Sequence, residues 1–343
     1  MKWLISRSIT GPERDLNPEK HSIDLKMDTP LSSLPLTAAK ALWFYLILIS
    51  ILLLVILCRR LLRPSQSSLF YTLVPLMVLA RYFLREAQLG QINAFLTLIL
   101  VLMVWALVVE ENRSPVIQRM SWAGILWGLA TALKPYAVIF FPYLVIRKRW
   151  KPMAFGMIFL GFSLIFPSLF YGFSGNMRVL REWVSSLSRS TPALLDSQDN
   201  ISILGLLMKW TGSQKLSLFI FAAVVFCLSL LLLVLVLRGK GRRDAPVLDC
   251  SILLVLIPLL SPLGWDYTLL MSFLGVMICF VHFLDYSKFW RACLILNFLI
   301  VTFSLYNLLG KALYAQFMSL SVITLNFLIL IGYLSFLRWK GLR

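Results

Sequence analysis

The chain has 343 residues, of which 59% are hydrophobic and only 14% are charged, and its formal net charge is +18. A soluble domain of this length would be about 45–50% apolar and about a quarter charged, so the composition excludes an ordinary soluble fold. The positive charge does not indicate nucleic-acid binding, because the basic residues cluster at the ends of apolar runs and form no stripe on a polar face.

The apolar runs that follow the polar N-terminal segment predict an all-α, polytopic bundle of transmembrane helices with about ten or eleven spans. The predicted spans, in chain order, are 37–58, 67–84, 92–109, 120–133, 136–146, 153–172, 216–238, 247–262, 267–284, 290–308 and 316–337. The fourth and fifth are short and are expected to form one kinked pair around Lys134-Pro135, because proline cannot continue a helix cleanly.

The loop charges predict the orientation of the bundle. One set of alternate loops, which includes the C-terminal tail 339–343, carries 18 basic residues, and the other set carries nine. We therefore expect the first set to be cytoplasmic and the long loop 173–215 of the domain 37–338 to lie outside. The polar segment 1–36 would be the remnant of an outer loop, although six basic residues within 1–40 oppose its export.

The cytoplasmic loops contain no Gly-rich phosphate cradle, which argues against an ATP-driven pump and against an enzyme that uses a nucleotide-sugar. The five cysteines lie in or beside apolar runs, and there are only two histidines, so we expect neither a zinc site nor a disulfide framework. Any chemistry is expected at the outer face, on a lipid-linked or exported substrate. We expect no cofactor, with a divalent cation left as an open alternative.

Two polar motifs flank predicted spans. Gly-Gln-Ile-Asn at 90–93 opens one span, and there Gln91 could bind a neighbouring helix while Asn93 could cap its own. Lys134 follows a run of small residues that would let helices approach closely, and it could either reach the membrane interface or bind a phosphate as a point charge. Three charged residues come just before the first motif: Arg81, Arg85 and Glu86.

Two further motifs lie in the predicted outer loops. Asn200 stands in an Asp-Asn-Ile-Ser-Ile stretch, after a segment 177–188 whose pattern indicates an amphipathic helix lying on the bilayer. Trp265 and Asp266 occupy a Ser-Pro-Leu-Gly-Trp-Asp-Tyr turn, where the tryptophan could anchor the turn at the interface and the carboxylate could bind sugar hydroxyls or a basic partner.

The order of these motifs resembles glycosyltransferase family 87. The residues that carry the resemblance are Gly-Gln-Ile-Asn, the Gly/Ala-rich span that ends in Lys-Pro, Asn-x-Ser in a long outer loop, and Ser-Pro-x-x-Trp, over roughly 28–290. The resemblance implies a mannosyltransferase of the GT-C fold, which is compatible with the ten or eleven spans read from the apolar runs. Such an enzyme transfers the sugar from a polyprenyl-phosphate donor to the hydroxyl of a lipid or glycan acceptor outside the membrane.

The same resemblance assigns provisional roles to the candidate residues. Lys134, Arg81 and Arg85 would bind the donor phosphate, and four residues would shape the pocket: Gln91, Asn93, Asn200 and Trp265. We expect an integral, multi-pass protein of the bacterial cell (inner) membrane, with its C-terminus in the cytoplasm. Its partners would be the bilayer, the donor lipid and the acceptor, with no nucleic acid, and no residue is assigned to a metal site.

The sequence departs from the family pattern at its N-terminus. The family's first span and most of the following outer loop, which carries an aspartate base, are not recognisable. Three explanations stay open: a truncated product, whose transfer would be impaired, an upstream start that was missed, or another carboxylate that has taken over as the base. The base is therefore unknown, with Asp28, Asp266 and Glu86 as candidates. Two other functions stay open: a flippase or transporter for lipid-linked sugars, and a non-catalytic assembly subunit of a membrane complex.

Overall fold

A computed structural model describes residues 34–62, 69–110, 116–238 and 245–341 of the protein. The chain divides into two units, Met1–Trp43 and Phe44–Arg343. In the first unit the described residues, 34–43, carry the first turns of α1. The second unit contains the remainder of that helix and every later element.

Most of the described residues are helical and none of them forms a strand, which confirms the all-α prediction. The α-helices are α1 (Leu36–Leu62), α2 (Phe70–Val78), α3 (Ala80–Leu89), α4 (Asn93–Glu110), α5 (Val116–Leu133), α6 (Phe140–Ile146), α7 (Trp150–Ile165), α8 (Ser168–Ser190), α9 (Ile203–Thr211), α10 (Gln214–Arg238), α11 (Ala245–Leu260), α12 (Phe273–Val281), α13 (Lys288–Phe303), α14 (Tyr306–Ser319) and α15 (Val322–Lys340). Short 3₁₀ helices occupy Pro135–Ile139, Pro192–Leu194, Asp266–Ser272 and Phe283–Asp285.

Three of the described helices, α1, α10 and α15, are long and apolar enough to cross a membrane by length and composition. The number rises to five if α7 with α8, bent by 86°, and α13 with α14, bent by 101°, each count as one broken span. The other apolar runs form shorter helices, since breaks such as Lys134-Pro135 divide them. Several long apolar helices make this a polytopic membrane bundle, whereas the count of ten or eleven crossings stays a prediction.

The chain breaks at Lys134, as predicted. Helix α5 ends at Leu133, Lys134 has an extended backbone (φ −145°, ψ 123°), and the 3₁₀ helix starts at Pro135. Lys134 therefore lies at the junction of two helices, and its extended backbone directs its side chain differently from the side chains within either helix.

The predicted close approach of small residues occurs between α5 and α7. A Cβ atom on Gly124 would lie 2.3 Å from the carbonyl oxygen of Pro152, and one on Gly128 would lie 2.6 Å from that of Gly156. Such distances are shorter than any van der Waals contact, so only glycine allows the two backbones to pack at this separation.

Helix α11 is the centre of the bundle, because its residues from Ala245 to Leu259 are all buried. It also carries the buried carboxylate of Asp249, which is bound by two arginines. Arg147 Nη2 lies 2.7 Å from Oδ2 and Arg338 Nε lies 2.6 Å from Oδ1. The group ties the end of α6 and the last turns of α15 to α11, at the side that the loop charges predict to be cytoplasmic.

Removing the charge of Asp249 is expected to destabilise the bundle. The Asp249→Asn variant leaves the guanidinium of Arg338, which is only 2% exposed, without its carboxylate. Breaking a buried ion pair in this way costs about 3–5 kcal/mol. Thermal unfolding of the purified protein in detergent measures the loss.

The matched control is Asp196→Asn, which removes the same charge from an exposed position. It should unfold at the wild-type temperature. Equal unfolding temperatures for the two variants would show that the Asp249 group contributes nothing to stability.

Candidate functional site

Helix α3 presents three charged side chains within two turns, Arg81, Arg85 and Glu86. The helix ends at Gly90, which adopts a left-handed backbone (φ 62°, ψ 36°) that glycine enters without steric cost. The backbone N–H of Gln91 donates to the carbonyl of Glu86 at 3.1 Å, and α4 begins at Asn93. This tight turn brings the first residues of α4 next to the charged end of α3.

Both arginines bind one oxygen of Asp266. Arg85 Nη1 lies 2.9 Å and Arg81 Nη2 lies 3.3 Å from Asp266 Oδ2. Arg81 also donates to the hydroxyl of Ser304 at 2.8 Å and to the carbonyl oxygen of the same residue. Arg81 thus joins α3 to the 3₁₀ helix that starts at Asp266 and to the break between α13 and α14.

The two arginines differ in exposure. Only 12% of the Arg81 side chain is exposed, whereas 41% of the Arg85 side chain is. Arg81 is therefore suited to holding the site together. Arg85 can offer its guanidinium to a ligand.

The second part of the site is a line of three side chains. Lys134 Nζ donates to Asn93 Oδ1 at 2.7 Å, and Asn93 Nδ2 donates to Glu86 Oε2 at 2.9 Å. The backbone N–H of Ala94 donates to the other Glu86 oxygen at 3.0 Å. Glu86 and Asn93 are fully buried, and Lys134 is half-buried with its ammonium 5.6 Å from the centre of the Tyr136 ring.

Asn200 uses its whole side-chain amide inside the protein. Its Nδ2 donates to the carbonyl oxygens of Leu195 and Pro262, both at 3.0 Å. Its Oδ1 accepts from the backbone N–H groups of Ser202 at 3.1 Å and Gly264 at 3.0 Å. This residue therefore fixes the turn before Asp266 in place.

The remaining predicted pocket residues lie beside these groups. Trp265 is half-exposed and has an extended backbone (φ −102°, ψ 145°) immediately before the 3₁₀ helix that carries Asp266. Gln91 is half-buried in the turn after α3. The pocket roles of Gln91, Asn93, Asn200 and Trp265 stay predictions, and Asp28 lies outside the described residues.

The structure also adds residues that the sequence did not single out. Ser304 binds Arg81 across 223 positions of the chain, and only the interruption of an apolar run could have indicated it. Lys209, in the predicted outer loop, donates to the carbonyl oxygens of Gln198 at 2.8 Å, Asn200 at 2.9 Å and Met318 at 3.1 Å. Burial lowers the pKa of the Lys209 ammonium to about 8, opposed by the charge of Asp199.

We call Arg81, Arg85, Glu86, Lys134 and Asp266 the charged cluster. It contains three cations and two carboxylates, so its formal charge is positive by one. A partly buried site with this excess attracts an anion, and Arg85 and Lys134 are its more accessible cations. In the described part of the chain, no group of three or more His, Cys, Asp and Glu side chains could hold a metal ion.

The fold and the charged cluster define a polytopic helical membrane protein with an anion-attracting polar site between its helices. The family model of glycosyltransferase family 87 matches residues 28–262, and the chain belongs to this family. It is therefore a membrane protein of a glycosyltransferase family. Asp266 and Ser304 lie beyond the matched residues. Comparison with curated proteins finds no match, and neither does comparison with solved structures.

Adding one methyl group at Gly264 is expected to disturb the site. A Cβ atom there would lie 2.4 Å from the carbonyl oxygen of Pro258 and 2.9 Å from the backbone nitrogen of Ser202, so the backbone of the turn must shift. Overpacking of this kind costs about 1–3 kcal/mol. Thermal unfolding of Gly264→Ala in detergent checks the prediction.

The control is Gly332→Ala in α15, where a Cβ atom would meet nothing within 4 Å. That variant should be as stable as the wild type or slightly more stable, since alanine favours the helix. A Gly264→Ala protein that unfolds at the same temperature as Gly332→Ala would contradict the steric argument.

Proposed function

We propose that this protein transfers a sugar, mannose, from a polyprenyl-phosphate donor to a hydroxyl of a lipid or glycan acceptor. The observation that carries the proposal is the charged cluster, which offers excess positive charge between the apolar helices of a family 87 member. A donor of this class has a phosphate to bind and a long apolar tail that needs an apolar surface. A helical membrane bundle with a buried cationic site supplies both.

The proposed reaction moves negative charge onto the leaving phosphate. The acceptor oxygen forms a bond to the anomeric carbon, the bond from that carbon to the phosphate oxygen breaks, and the acceptor proton passes to a base. The donor phosphodiester carries one negative charge, and the polyprenyl phosphate that departs carries more. Arg85 and Lys134 are therefore proposed to bind the phosphate and to stabilise the charge that develops in the transition state.

Arg81 takes a different part in this proposal. Its guanidinium already binds Ser304 and Asp266, and little of its side chain is exposed. We assign it the task of holding Asp266, and through it Arg85, in position. The proposed phosphate ligands are thus reduced from the three predicted cations to two.

The base of the reaction is to be sought at Asp28 and Asp266. Both oxygens of Glu86 accept hydrogen bonds in a fully buried position, so its carboxylate does not face an acceptor. Asp266 has one oxygen shared by two guanidinium groups, and Asp28 lies outside the described residues. Asp28→Asn separates the two, because Asp266 remains paired with Arg85 in that variant. If Asp28 is the base, Asp28→Asn binds donor and fails to transfer, and normal transfer by this variant assigns the base to Asp266.

The orientation is part of the proposal. The loop charges favour a cytoplasmic C-terminus in a bacterial inner membrane and an outer position for the segments that carry Arg85, Asn200 and Asp266. The acceptor would then be glycosylated on the outer face.

Loss of either proposed phosphate ligand is expected to abolish most of the activity. In full-length protein reconstituted into lipid nanodiscs, Arg85→Gln and Lys134→Gln should each lower the rate of sugar transfer from polyprenyl-phosphate-mannose about 10²- to 10³-fold. Arg178→Gln, which removes a cation from an exposed position on α8, is the control and should act like the wild type.

Two results would contradict the proposal. The first is a wild-type protein that retains lipid and transfers no sugar from any polyprenyl-phosphate donor. The second is an Arg85→Gln protein as active as Arg178→Gln. Movement of a lipid-linked sugar across sealed vesicles without transfer would favour a flippase, and activity that appears only with a co-purified partner would favour an assembly subunit.

A further inference from the structure

Glu86 has no task in the reaction as described above, although it is a fully buried carboxylate close to a proposed phosphate ligand. Two hydrogen bonds through Asn93 separate it from the ammonium of Lys134. A buried carboxylate is costly unless it is paired and hydrogen-bonded. The arrangement around it therefore calls for a specific explanation.

The polarity of the Asn93 amide is dictated by its two neighbours. A carboxylate can only accept a hydrogen bond and an ammonium can only donate one. Asn93 satisfies both when Nδ2 points to Glu86 and Oδ1 points to Lys134, as observed. The reversed amide would place its oxygen against a carboxylate and its NH₂ group against a cation. Glu86 thus orients the amide dipole of Asn93 so that its negative end, the carbonyl oxygen, faces the Lys134 ammonium.

The backbone holds the two inner members of this line rigidly. Glu86 lies in the last turn of α3, and the Gly90 turn sets it against the N-terminus of α4. The Ala94 N–H, in the first turn of α4, donates to Glu86, as a helix N-terminus favours a negative charge. Lys134, in contrast, stands at an extended break between helices, and its long side chain needs an anchor to keep one position.

We propose that Glu86 is a positioning residue which, acting through Asn93, holds the Lys134 ammonium where the donor phosphate binds. This inference rests on the proposed function, because the phosphate of a polyprenyl phosphate is the ligand that Lys134 would meet. Glu86 itself touches neither sugar nor phosphate. Its charge keeps the Lys134 ammonium directed toward the site, while its burial prevents it from competing for the acceptor.

The test moves the negative charge from position 86 to position 93, whose side chains are hydrogen-bonded to each other. Glu86→Gln removes the charge and keeps an oxygen for the Ala94 N–H. The double variant Glu86→Gln/Asn93→Asp restores the charge one step closer to Lys134, since the new amide can donate to the new carboxylate, which accepts from the ammonium. The probe is radiolabelled polyprenyl monophosphate bound to full-length protein in nanodiscs.

Glu86→Gln should bind the probe about tenfold more weakly than the wild type, and the double variant should return to within about twofold of the wild type. In a Lys134→Gln background, Glu86→Gln should cause no further loss, because its effect passes through Lys134. Glu182→Gln, which removes an exposed glutamate from α8, is the control and should bind the probe normally.

A Glu86 that only caps α4 would give a different result: lower thermal stability in Glu86→Gln, unchanged probe binding by the folded fraction, and no rescue by the second substitution. That result overturns the inference and leaves the proposed function standing. A wild type that binds no polyprenyl monophosphate overturns the proposed function itself. If Glu86→Gln does not fold, Asn93→Leu keeps the Glu86 contact with Ala94, and wild-type binding by this variant also overturns the inference.

Discussion

The rule that a buried charge must meet an opposite charge governs this structure more than any other constraint. Asp266 shares one oxygen between Arg81 and Arg85, and through these contacts α3, the Asp266 3₁₀ helix and the break before α14 are held together. An unpaired charge between apolar helices would cost several kcal/mol, so these elements cannot separate independently. The position of Arg85, one of the two proposed phosphate ligands, depends on this pairing.

The protein applies the same chemistry twice with different results. Asp249 also binds two arginines, but there both guanidinium groups are almost fully enclosed by α6, α11 and α15. At Asp266 one of the two arginines keeps 41% of its side chain exposed. The first group is closed and can only stabilise the bundle, whereas the second leaves a cation able to meet a ligand. Exposure, and not residue type, separates the structural group from the candidate site.

Much of the fold follows from local sequence, and much of the site does not. Apolar runs gave the position of most helices, but α9 lies within the predicted outer loop 173–215, and α14 covers the interval between the predicted spans 290–308 and 316–337. The Lys134-Pro135 break and the glycine contact between α5 and α7 followed from the properties of proline and glycine. The partners of Arg81 and Asn200 lie far away along the chain, at Ser304 and Gly264. Hydropathy cannot indicate such pairs, because three-dimensional packing alone decides which polar groups meet. For the same reason the run 267–284 looked like one span, whereas it forms a 3₁₀ helix followed by α12.

The proposed phosphate site contains two carboxylates, Glu86 and Asp266, and the proposed reaction gives a physical reason for their presence. Three cations buried without counter-charges would repel one another, and they would bind the departing phosphate as tightly as the transition state. Glu86 and Asp266 reduce the excess to one positive charge, so the repulsion among the three cations is small even when no ligand is bound. Because cations or N–H groups bind each carboxylate, its repulsion of the phosphate is weakened. In the proposed reaction, this charge balance attracts the phosphodiester donor, stabilises the charge that grows as its bond breaks, and still allows the product to leave.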